Sequence, residues 1–215
     1  MNREVMQPDG PRAAERRRQI LEAAVRCFRT HGFHQTTLRD IAHELGMSVG
    51  HIYNYFANKE ALIEAMVEDS TERFLELVSS QDFEHGSDAQ RMHLEKVVDA
   101  FLDTETTALA IAIMNEAMIN PRIHKLTVAA TERLREHILR LYYEKNQNEL
   151  TQAVPKSEVE YRIIVIRAML EGLRYAMFFN PRASRKRLRE IAVDHLLYMI
   201  QAGREKDRMF FEKKH

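Results

Sequence analysis

The amino-acid sequence predicts an all-α protein of about nine helices, and three observations support this prediction. Apolar residues make up 45% of the 215 residues and recur at helical spacing through most of the chain. Glycine and proline, which interrupt helices, number only 7 and 5. No stretch alternates apolar and polar residues in the manner of a half-buried strand. Because 30% of the residues are charged, such helices can bury a core and still present a polar surface.

The N-terminal part of the chain predicts a flexible arm followed by a helix. Residues 1–11 show no periodicity and contain two prolines and one glycine, so we expect an arm there. From residue 12 to residue 31, apolar residues recur every three or four positions, as in an amphipathic helix. Gly32 follows at a position where helices often end in a left-handed conformation.

A helix–turn–helix is predicted next, because caps and a turn residue occur at the required intervals. Thr37 followed by Asp40 is the acidic form of a capping box, which starts a helix. Gly46 supplies the conformational freedom that a tight turn needs. Ser48 is a favourable N-cap for the second helix, which is expected at about 48–55. In such a motif the second helix is the recognition helix, which lies in the major groove of DNA.

The side chains of this second helix favour the DNA-binding interpretation. Ile52 and Phe56 lie at positions i and i+4 and are expected to face the core. The outer face then carries hydroxyl, imidazole, amide and phenol groups, where a solvated helix usually carries Lys and Glu. The residues left to this face or its flanks are Val49, Gly50, His51, Tyr53, Asn54 and Tyr55.

These residue types match the groups that DNA presents. His51 and Asn54 can hydrogen-bond to purine edges, and Val49 can contact a thymine methyl group. Arg39 can bind guanine, although it could instead pair with a neighbouring carboxylate. The two tyrosine hydroxyls can donate to phosphate oxygens, which fixes the register of a protein on DNA without reading its sequence. Gly50 would let the backbone approach the bases.

Six further helices are predicted, at about 59–80, 88–103, 105–119, 122–149, 157–179 and 184–203. We expect loops at Gln81–Ser87 and Thr151–Ser157, and breaks at the two Asn-Pro pairs. The helix at 105–119 is apolar nearly all round and is therefore expected to be buried centrally. The predicted organisation is an arm at 1–11, a DNA-binding domain at 12–60, a regulatory and dimerisation domain at 61–205, and a charged, frayed tail at 206–215.

The last two predicted helices have apolar faces and are expected to form an antiparallel pair. Such a pair can supply half of a four-helix bundle between two copies of the chain. A glycine on the first helix would allow close approach. Alternatively, the pair simply completes the core of one chain. The residues predicted at a dimer interface are Ala168, Gly172, Leu188, Ile191, Ala192, Leu196 and Met199.

The net charge is zero but unevenly distributed. Residues 1–59 carry a net charge of +3, residues 60–120 carry −11 and residues 121–215 carry +8. A basic N-terminal segment could face phosphate while the acidic middle is repelled. Ordinary solvated helix faces would give the same net charges. A basic run such as Arg182–Glu190 is usually solvated, but it could instead pair with the acidic middle of a partner subunit.

Several other function classes find no support in the sequence. Cys27 is the single cysteine and lies in an apolar stretch, so it is expected to be a core residue of a protein in the reducing cytoplasm. The histidines show no metal-ligand spacing, and no catalytic or nucleotide-binding motif occurs. We therefore expect no metal site, no cofactor and no enzymatic activity. The N-terminus lacks the apolar region of a signal peptide, and no apolar run approaches the roughly 18 residues that span a membrane.

A resemblance to a known family rests on a longer set of residues. Residues 16–66, about a quarter of the chain, resemble the DNA-binding domain of the TetR/AcrR family of bacterial transcriptional regulators. The residues that carry the resemblance are Ile20–Ala24, Phe28, Gly32, Phe33, Thr36, Thr37, Ile41, Ala42, Leu45, Gly46, Ser48, Gly50, Tyr53, Tyr55, Phe56 and Lys59–Leu62.

The resemblance implies roles for individual residues. Thr37, Tyr53, Tyr55 and Lys59 match family positions that contact phosphate. A second set matches positions that read bases or support reading, and it consists of Arg39, Ser48, Val49, Gly50, His51 and Asn54. Many members of the family have His where this chain has Tyr55. Tyrosine can still donate to phosphate, but the pH dependence of a histidine would be lost.

The resemblance also implies a small-molecule pocket among the C-terminal helices. Its candidate lining is an apolar wall with a few polar groups, as a pocket requires. The residues are Met66, Phe101, Met114, Asn115, Met118, Tyr142, Arg167, Glu171, Arg174, Tyr175 and Phe178. Taken singly, each of them could equally be an ordinary core or surface residue.

The predicted function is a homodimeric, ligand-responsive repressor that binds a palindromic operator in double-stranded DNA. One alternative is a DNA-binding protein of the same fold that responds to a protein partner instead of a small molecule. A second alternative, from another class, is an all-α enzyme or scaffold that does not bind DNA.

Overall fold

The computed structural model describes residues 10–79, 88–145 and 149–212, and these ranges contain ten α-helices and no strand. The helices are α1 (Pro11–His31), α2 (Leu38–Glu44), α3 (Val49–Tyr53), α4 (Lys59–Ser79), α5 (Asp88–Leu102), α6 (Thr104–Ile119), α7 (Pro121–Lys145), α8 (Glu149–Ala153), α9 (Lys156–Phe179) and α10 (Arg185–Glu212). The predicted all-α class is confirmed. Most of the predicted arm, the predicted loop at 81–87 and the last three residues lie outside the described ranges.

The helices form two compact units, and α4, α6 and α7 each contribute to both. The first unit takes in the described residues up to Glu72 together with Ala108–Ala130. The second takes in Arg73–Thr107 and the described residues from Thr131 onward. The predicted division at residue 60 does not anticipate that a later stretch of chain joins the first unit.

The first unit is built around one apolar core, because α1 to α4 each have apolar residues on one side. The core residues include Ile20 and Phe28 of α1, Ile41 of α2, Ile52 of α3 and Leu62 of α4. The segment 108–130 joins this core through Ile123, which is fully buried. Two polar contacts add to this attachment. Arg122 Nε forms an ion pair with Glu64 Oε1 at 2.6 Å, and His34 Nε2 lies 3.4 Å from the buried carboxylate of Glu116.

The second unit has a core formed by α5, α9 and α10. Leu94, Val98 and Phe101 of α5 pack against Leu170 of α9 and Leu196 of α10. A smaller apolar cluster joins α7 to α9 through Leu139, Val154 and Val159. None of the described helices combines the length and the apolar composition that a membrane crossing needs.

One short helix was missed in the predicted loop at 151–157. Helix α8 has only five residues, which is too few for a helical period to be recognised in the sequence. It is held in place because Ala153 and the adjoining Val154 are buried. The hydroxyl of Tyr143 donates to the carbonyl of Val154 at 3.2 Å.

The predicted end of the last helix at residue 203 is wrong, since α10 continues to Glu212. The reason is a buried acid in a stretch that looks uniformly polar. Asp207 is only 3% exposed and accepts hydrogen bonds from Tyr142 Oη at 2.8 Å and Arg162 Nη1 at 2.6 Å. Burial, followed by the contact with Asp207, raises the pKa of Tyr142. A fully paired carboxylate thus holds the end of α10 against the rest of the second unit.

The predicted central burial of the apolar helix at 105–119 is also wrong. Met114, Met118 and Ile119 of α6 are exposed, and Met118 is 80% exposed. From Ala108 onward the helix turns one side, with Leu109 and Ile113, toward the core of the first unit. A helix that is apolar all round therefore leaves apolar side chains on its other side.

Replacing Gly46 by alanine tests the turn between α2 and α3. Gly46 has a φ of 64° and open space around the position of a Cβ atom. Gly46→Ala is expected to lower the free energy of unfolding by about 1–2 kcal/mol, because an L-residue is strained in this conformation. Chemical denaturation measures the loss. Gly50→Ala, at a helical glycine without a positive φ, is the matched control; equal losses in both variants would contradict the assignment.

Candidate nucleic-acid interface

The N-terminus of α2 carries the predicted capping box. The backbone N and the Oγ1 of Thr37 each donate to Oδ2 of Asp40 at 2.7 Å. In return, the backbone N of Asp40 donates to Thr37 Oγ1 at 3.3 Å. These hydrogen bonds from Thr37 lower the pKa of Asp40. The predicted capping box is confirmed, and the hydroxyl proton of Thr37 is already used within it.

The turn into α3 follows the pattern expected from the sequence. Gly46 is in the left-handed conformation, and its N–H donates to the carbonyl of His43 at 3.0 Å. Met47 N donates to Ala42 O at 2.9 Å, which closes the turn. Ser48 then caps α3 by accepting a hydrogen bond from the backbone N of His51. The start of α3 is therefore fixed by local chemistry before any packing is considered.

Helix α3 divides into a buried side and an open side. Ile52 is fully buried and Phe56, just past the helix, is 1% exposed. Ser48, Gly50, Tyr53 and Asn54 are exposed, and Tyr53 keeps 49% of its surface open. Val49, His51 and Tyr55 are half-buried. The helix ends at Tyr53, so the predicted readers Asn54 and Tyr55 lie immediately after it.

Two features of this open side affect how closely a large binding partner can approach α3. Among the described residues, a Cβ atom added to Gly50 would meet only Ser48 Oγ, at 4.0 Å, so the backbone there is uncovered. The rings of His51 and Tyr55 lie 5.4 Å apart and tilted by 56°, which limits the freedom of both side chains. Because Gly50 has no side chain and the rings of His51 and Tyr55 contact each other, the backbone at Gly50 can approach a groove closely.

Arg39 extends from α2 without a partner among the residues that the structure describes. Both of its acidic neighbours are otherwise engaged, since Asp40 accepts from Thr37 and Glu44 Oε1 lies 3.0 Å from Arg26 Nε. The alternative interpretation, in which Arg39 pairs with a neighbouring carboxylate, is therefore not what the structure shows. Its exposed guanidinium remains available for an outside acceptor.

Lys59 occupies a position that the sequence did not reveal. Its Nζ donates to three carbonyl oxygens of the α1–α2 connection: Phe33 at 2.7 Å, Thr36 at 3.1 Å and His34 at 3.3 Å. It also lies 4.2 Å from the centre of the Phe33 ring. An ammonium group has three N–H donors, so all of them are used within the chain. The contact of Lys59 with phosphate stays a prediction, and the structure adds a role in holding this connection.

Arg17 supports the end of the helix–turn–helix, a role that was not predicted for it from the sequence. It is half-buried, its Nη1 donates to the carbonyl of Tyr55 at 3.3 Å, and its guanidinium lies 4.4 Å from the centre of the Phe56 ring. Burial lowers the pKa of Arg17. Its neighbours Arg16 and Arg18 are exposed instead. A contact across 38 positions of sequence carries no local signal.

The predicted ligand-lining residues divide between the two units and stay a prediction. In the first unit Met66 is in the core, whereas Met114, Asn115 and Met118 are exposed. In the second unit Phe101 is buried and Phe178 is 65% exposed, and the half-buried members are Tyr142, Arg167, Glu171, Arg174 and Tyr175. Arg174 approaches both Glu171 and Phe101 within this unit.

The predicted dimer residues differ in exposure. Ala168, Gly172 and Ile191 are exposed, and Leu188 and Met199 are half-buried. Ala192 and Leu196 are buried in the core of the second unit, and the predicted dimer interface as a whole stays a prediction. Large apolar residues that the prediction omitted are open on α9 and α10, namely Tyr161, Ile164, Val165, Phe179 and Tyr198.

Neither a metal site nor a reactive thiol is found in the described parts of the chain. No group of three His, Cys, Asp or Glu side chains there could hold a metal ion. Cys27 lies in the core of the first unit, and burial raises its pKa. A buried thiol with a raised pKa is chemically inert, as the core interpretation of Cys27 requires.

Comparison with known sequences gives three results. Residues 20–66 match the sequence profile of a family described as bacterial regulatory proteins, tetR family. The chain is 31% identical over 167 residues to the HTH-type transcriptional repressor Rv1474c of Mycobacterium tuberculosis, and this match covers 74% of the chain and 83% of that relative. It is 23% identical over 187 residues to the HTH-type transcriptional regulator BetI of Escherichia coli, with coverage of 85% and 92%.

Solved structures share the fold. A transcriptional regulator from Pseudomonas aeruginosa PAO1 superimposes with a TM-score of 0.75 at 21% identity, covering 97% of this chain and 100% of its own. A regulator from Saccharomonospora viridis in complex with choline gives 0.61 at 23% identity, with coverage of 84% and 95%. FadR from Bacillus subtilis in complex with stearoyl-CoA gives 0.63 at 17% identity, with coverage of 84% and 97%.

Replacing Lys59 by methionine tests the role of its ammonium group in the fold. Lys59→Met is expected to lower the free energy of unfolding by about 1–3 kcal/mol, because it leaves partly buried carbonyls without a donor. The measurement is chemical denaturation without DNA. Lys125→Met removes an exposed lysine of the same unit and is the matched control, with no expected loss. Equal stability of both variants would show that the three hydrogen bonds contribute nothing.

Proposed function

We propose that this chain, which belongs to the tetR family of bacterial regulatory proteins, represses transcription as a homodimer and releases its operator when a small molecule binds. Binding of DNA to regulate transcription follows from membership of the family. The proposal adds the sign of regulation, the dimer, a palindromic operator, control by an effector and an action in the cytoplasm.

The observation that carries the proposal is the division of α3 into a buried and an open side. Ile52 and Phe56 fix the helix to the core of the first unit, while Gly50, Tyr53 and Asn54 stay open. A helix held in this way fits the major groove, which is wide enough to admit it. The unit therefore presents a rigid reading surface rather than a mobile one.

Within this surface we assign two kinds of contact. Arg39, His51, Asn54 and Val49 supply groups that match base edges, and Arg39 has no competing partner among the described residues. Tyr53 and Tyr55 supply hydroxyl donors for phosphate. Thr37 and Lys59 match family positions that contact phosphate, although their donors also bond within the chain. Base contacts give sequence specificity, whereas phosphate contacts fix position and orientation.

The exposed apolar surface of the second unit supports the dimer. On α9, Tyr161, Ile164 and Val165 are 68%, 51% and 54% exposed, and on α10 Tyr198 is 71% exposed. Side chains of this size on adjacent turns are costly to leave in water. A second copy of the chain would cover the same surface by two-fold symmetry. Two recognition helices roughly 34–36 Å apart would then read a palindromic site.

Repression and effector control are supported by the named relatives. The 31% identical relative is called a repressor, and two proteins that share the fold were solved with choline and with stearoyl-CoA. We propose that an effector binds more tightly to a conformation whose recognition helices do not match the operator spacing. That difference in affinity shifts the population away from DNA.

Gly50→Ala is expected to separate DNA binding from folding. Because Gly50 is helical and uncovered, alanine should leave stability unchanged or raise it by up to about 1 kcal/mol. The added methyl group on the open side should weaken operator binding by roughly tenfold or more, which would correspond to about 1.4 kcal/mol. The operator is first enriched from a random duplex library, and binding is then measured by fluorescence anisotropy.

Arg39→Ala serves as a second variant in the same titration and should also relax the base preference at one position of each half-site. An enriched sequence without two-fold symmetry, or the absence of any enriched sequence, would contradict the proposed function. Wild-type affinity in both variants would contradict the assigned reading surface while leaving DNA binding itself intact.

Val165→Glu is expected to convert the dimer to a monomer, because a carboxylate would be buried in the proposed interface. Sedimentation velocity measures the change. Val128→Glu is the matched control, since Val128 lies in the first unit and is 53% exposed against 54% for Val165. The control should remain dimeric. A monomeric wild type, or a dimer that tolerates Val165→Glu, would overturn the placement of the interface.

A further inference from the structure

Arg174 of α9 is a charged residue that the fold of the second unit leaves incompletely bonded. Its side chain is only 15% exposed. Both Nε and Nη1 are buried and have no hydrogen-bond partner within the part of the chain that the structure describes. Nε lies 2.9 Å from Oε2 of Glu171, but the N–H is not directed at that oxygen and the contact is an ion pair only. Two nitrogens of a largely buried guanidinium thus lack acceptors among the described residues.

Such an arrangement destabilises the protein unless an acceptor is supplied from outside. Leaving one buried donor unsatisfied costs about 1–3 kcal/mol, and more for a charged group. Two other arginines of this unit also have a buried nitrogen without a partner, namely Arg162 Nη2 and Arg189 Nε, but both donate hydrogen bonds through other atoms, Arg162 to Asp207 and Arg189 to Asp99. Arg174 differs from them because two of its nitrogens lack a partner and its guanidinium donates no hydrogen bond to the residues that the structure describes. A buried polar group left unsatisfied to this extent calls for an acceptor from outside the fold.

The surroundings of Arg174 are apolar on one side. Its guanidinium lies 4.4 Å from the centre of the Phe101 ring, and the edge of Phe74 meets the same ring at a centroid distance of 5.4 Å. Leu173, Met169 and Met177 of α9 pack against the same core and are only partly buried. Methionine side chains adapt to the shape of a neighbour at little cost. The site therefore combines a charged donor with an adaptable apolar wall.

The charge of the site favours an anion over a cation. Arg167 lies two turns before Arg174 on the same side of α9, is half-buried and has no partner among the described residues. Glu171, between them, balances only one of the two positive charges. A quaternary ammonium ligand would need an open aromatic face, but Arg174 already lies against that of Phe101.

We propose that Arg174 binds the carboxylate of an amphipathic effector, whose hydrocarbon part packs against Phe101, Phe74 and the partly buried residues of α9. A carboxylate makes strong charge-assisted hydrogen bonds with a guanidinium and can accept from the end that carries Nη1, which supplies the acceptor that this nitrogen lacks. This inference rests on the proposed function, because it assigns a chemical class to the effector of the same regulator. It predicts a ligand opposite in charge to choline.

The test compares three probes of equal chain length on the full-length protein without DNA. Octanoate, octanol and octyltrimethylammonium are titrated by isothermal calorimetry and by thermal shift, and only octanoate is expected to bind saturably and to raise the melting temperature. Arg174→Met should weaken octanoate binding by roughly 10- to 100-fold, as loss of charged hydrogen bonds implies. Arg174→Lys keeps the positive charge but lacks the planar guanidinium. Its affinity for octanoate should therefore lie between those of the wild type and Arg174→Met.

The stability of the variants separates a binding role from a structural one. Without ligand, Arg174→Met should melt at the wild-type temperature or above it, because it removes unsatisfied donors. Arg182→Met removes an exposed arginine of the same unit and should bind octanoate as the wild type does. A large fall in melting temperature with octanoate binding retained would show that Arg174 only stabilises the fold and would overturn the proposal.

Two further results would overturn the proposal: no saturable binding of octanoate by the wild type, or equal binding of octanol or the ammonium probe. The proposed function fails separately, in the DNA titration. If octanoate binds through Arg174 but leaves operator affinity unchanged, the carboxylate site stands and its role as the effector site is rejected.

Discussion

The reading surface of this protein depends on the burial of two side chains from a very short helix. Helix α3 has five residues, and an isolated helix of that length is not stable in water. Its position is set by Ile52 and Phe56, which enter the core of the first unit, and by the cap at Ser48. Removing water from these two side chains contributes several kcal/mol by area. Packing on the buried side of α3 therefore also fixes the position of its open side.

The connection between α1 and α2 shows how a polar residue can support that core. Lys59 satisfies three carbonyls that no helix could satisfy, and Arg17 does the same for the carbonyl of Tyr55. Both cations also lie over aromatic rings, those of Phe33 and Phe56. Side chains that attract phosphate can thus belong to the framework as well, so a loss of DNA affinity on mutation must be separated from a loss of fold.

The sequence predicted the helical class and the helix–turn–helix because both follow from local patterns. Periodicity, caps and a turn glycine act within a few residues, as at Thr37, Gly46 and Ser48. It could not predict that Asp207 is buried or that Ala192 faces inward, because long-range packing decides such facts. Helix α8 was not predicted, because its five residues are too few to show a helical period. The segment at 108–130 joins the first unit through Ile123, which is fully buried. The sequence of this segment contains many apolar residues and does not indicate which of them would be covered.

The single cysteine gives the molecule an internal reporter. Cys27 is 5% exposed in the core of the first unit, and its thiol has a raised pKa. A thiol reagent can reach it only when α1 separates locally from its neighbours. Because labelling of Cys27 requires this local separation, the labelling rate measures the free energy of that local opening. The stability of the unit that carries α3 can therefore be followed in the intact protein, without adding a probe and without unfolding the remainder of the chain.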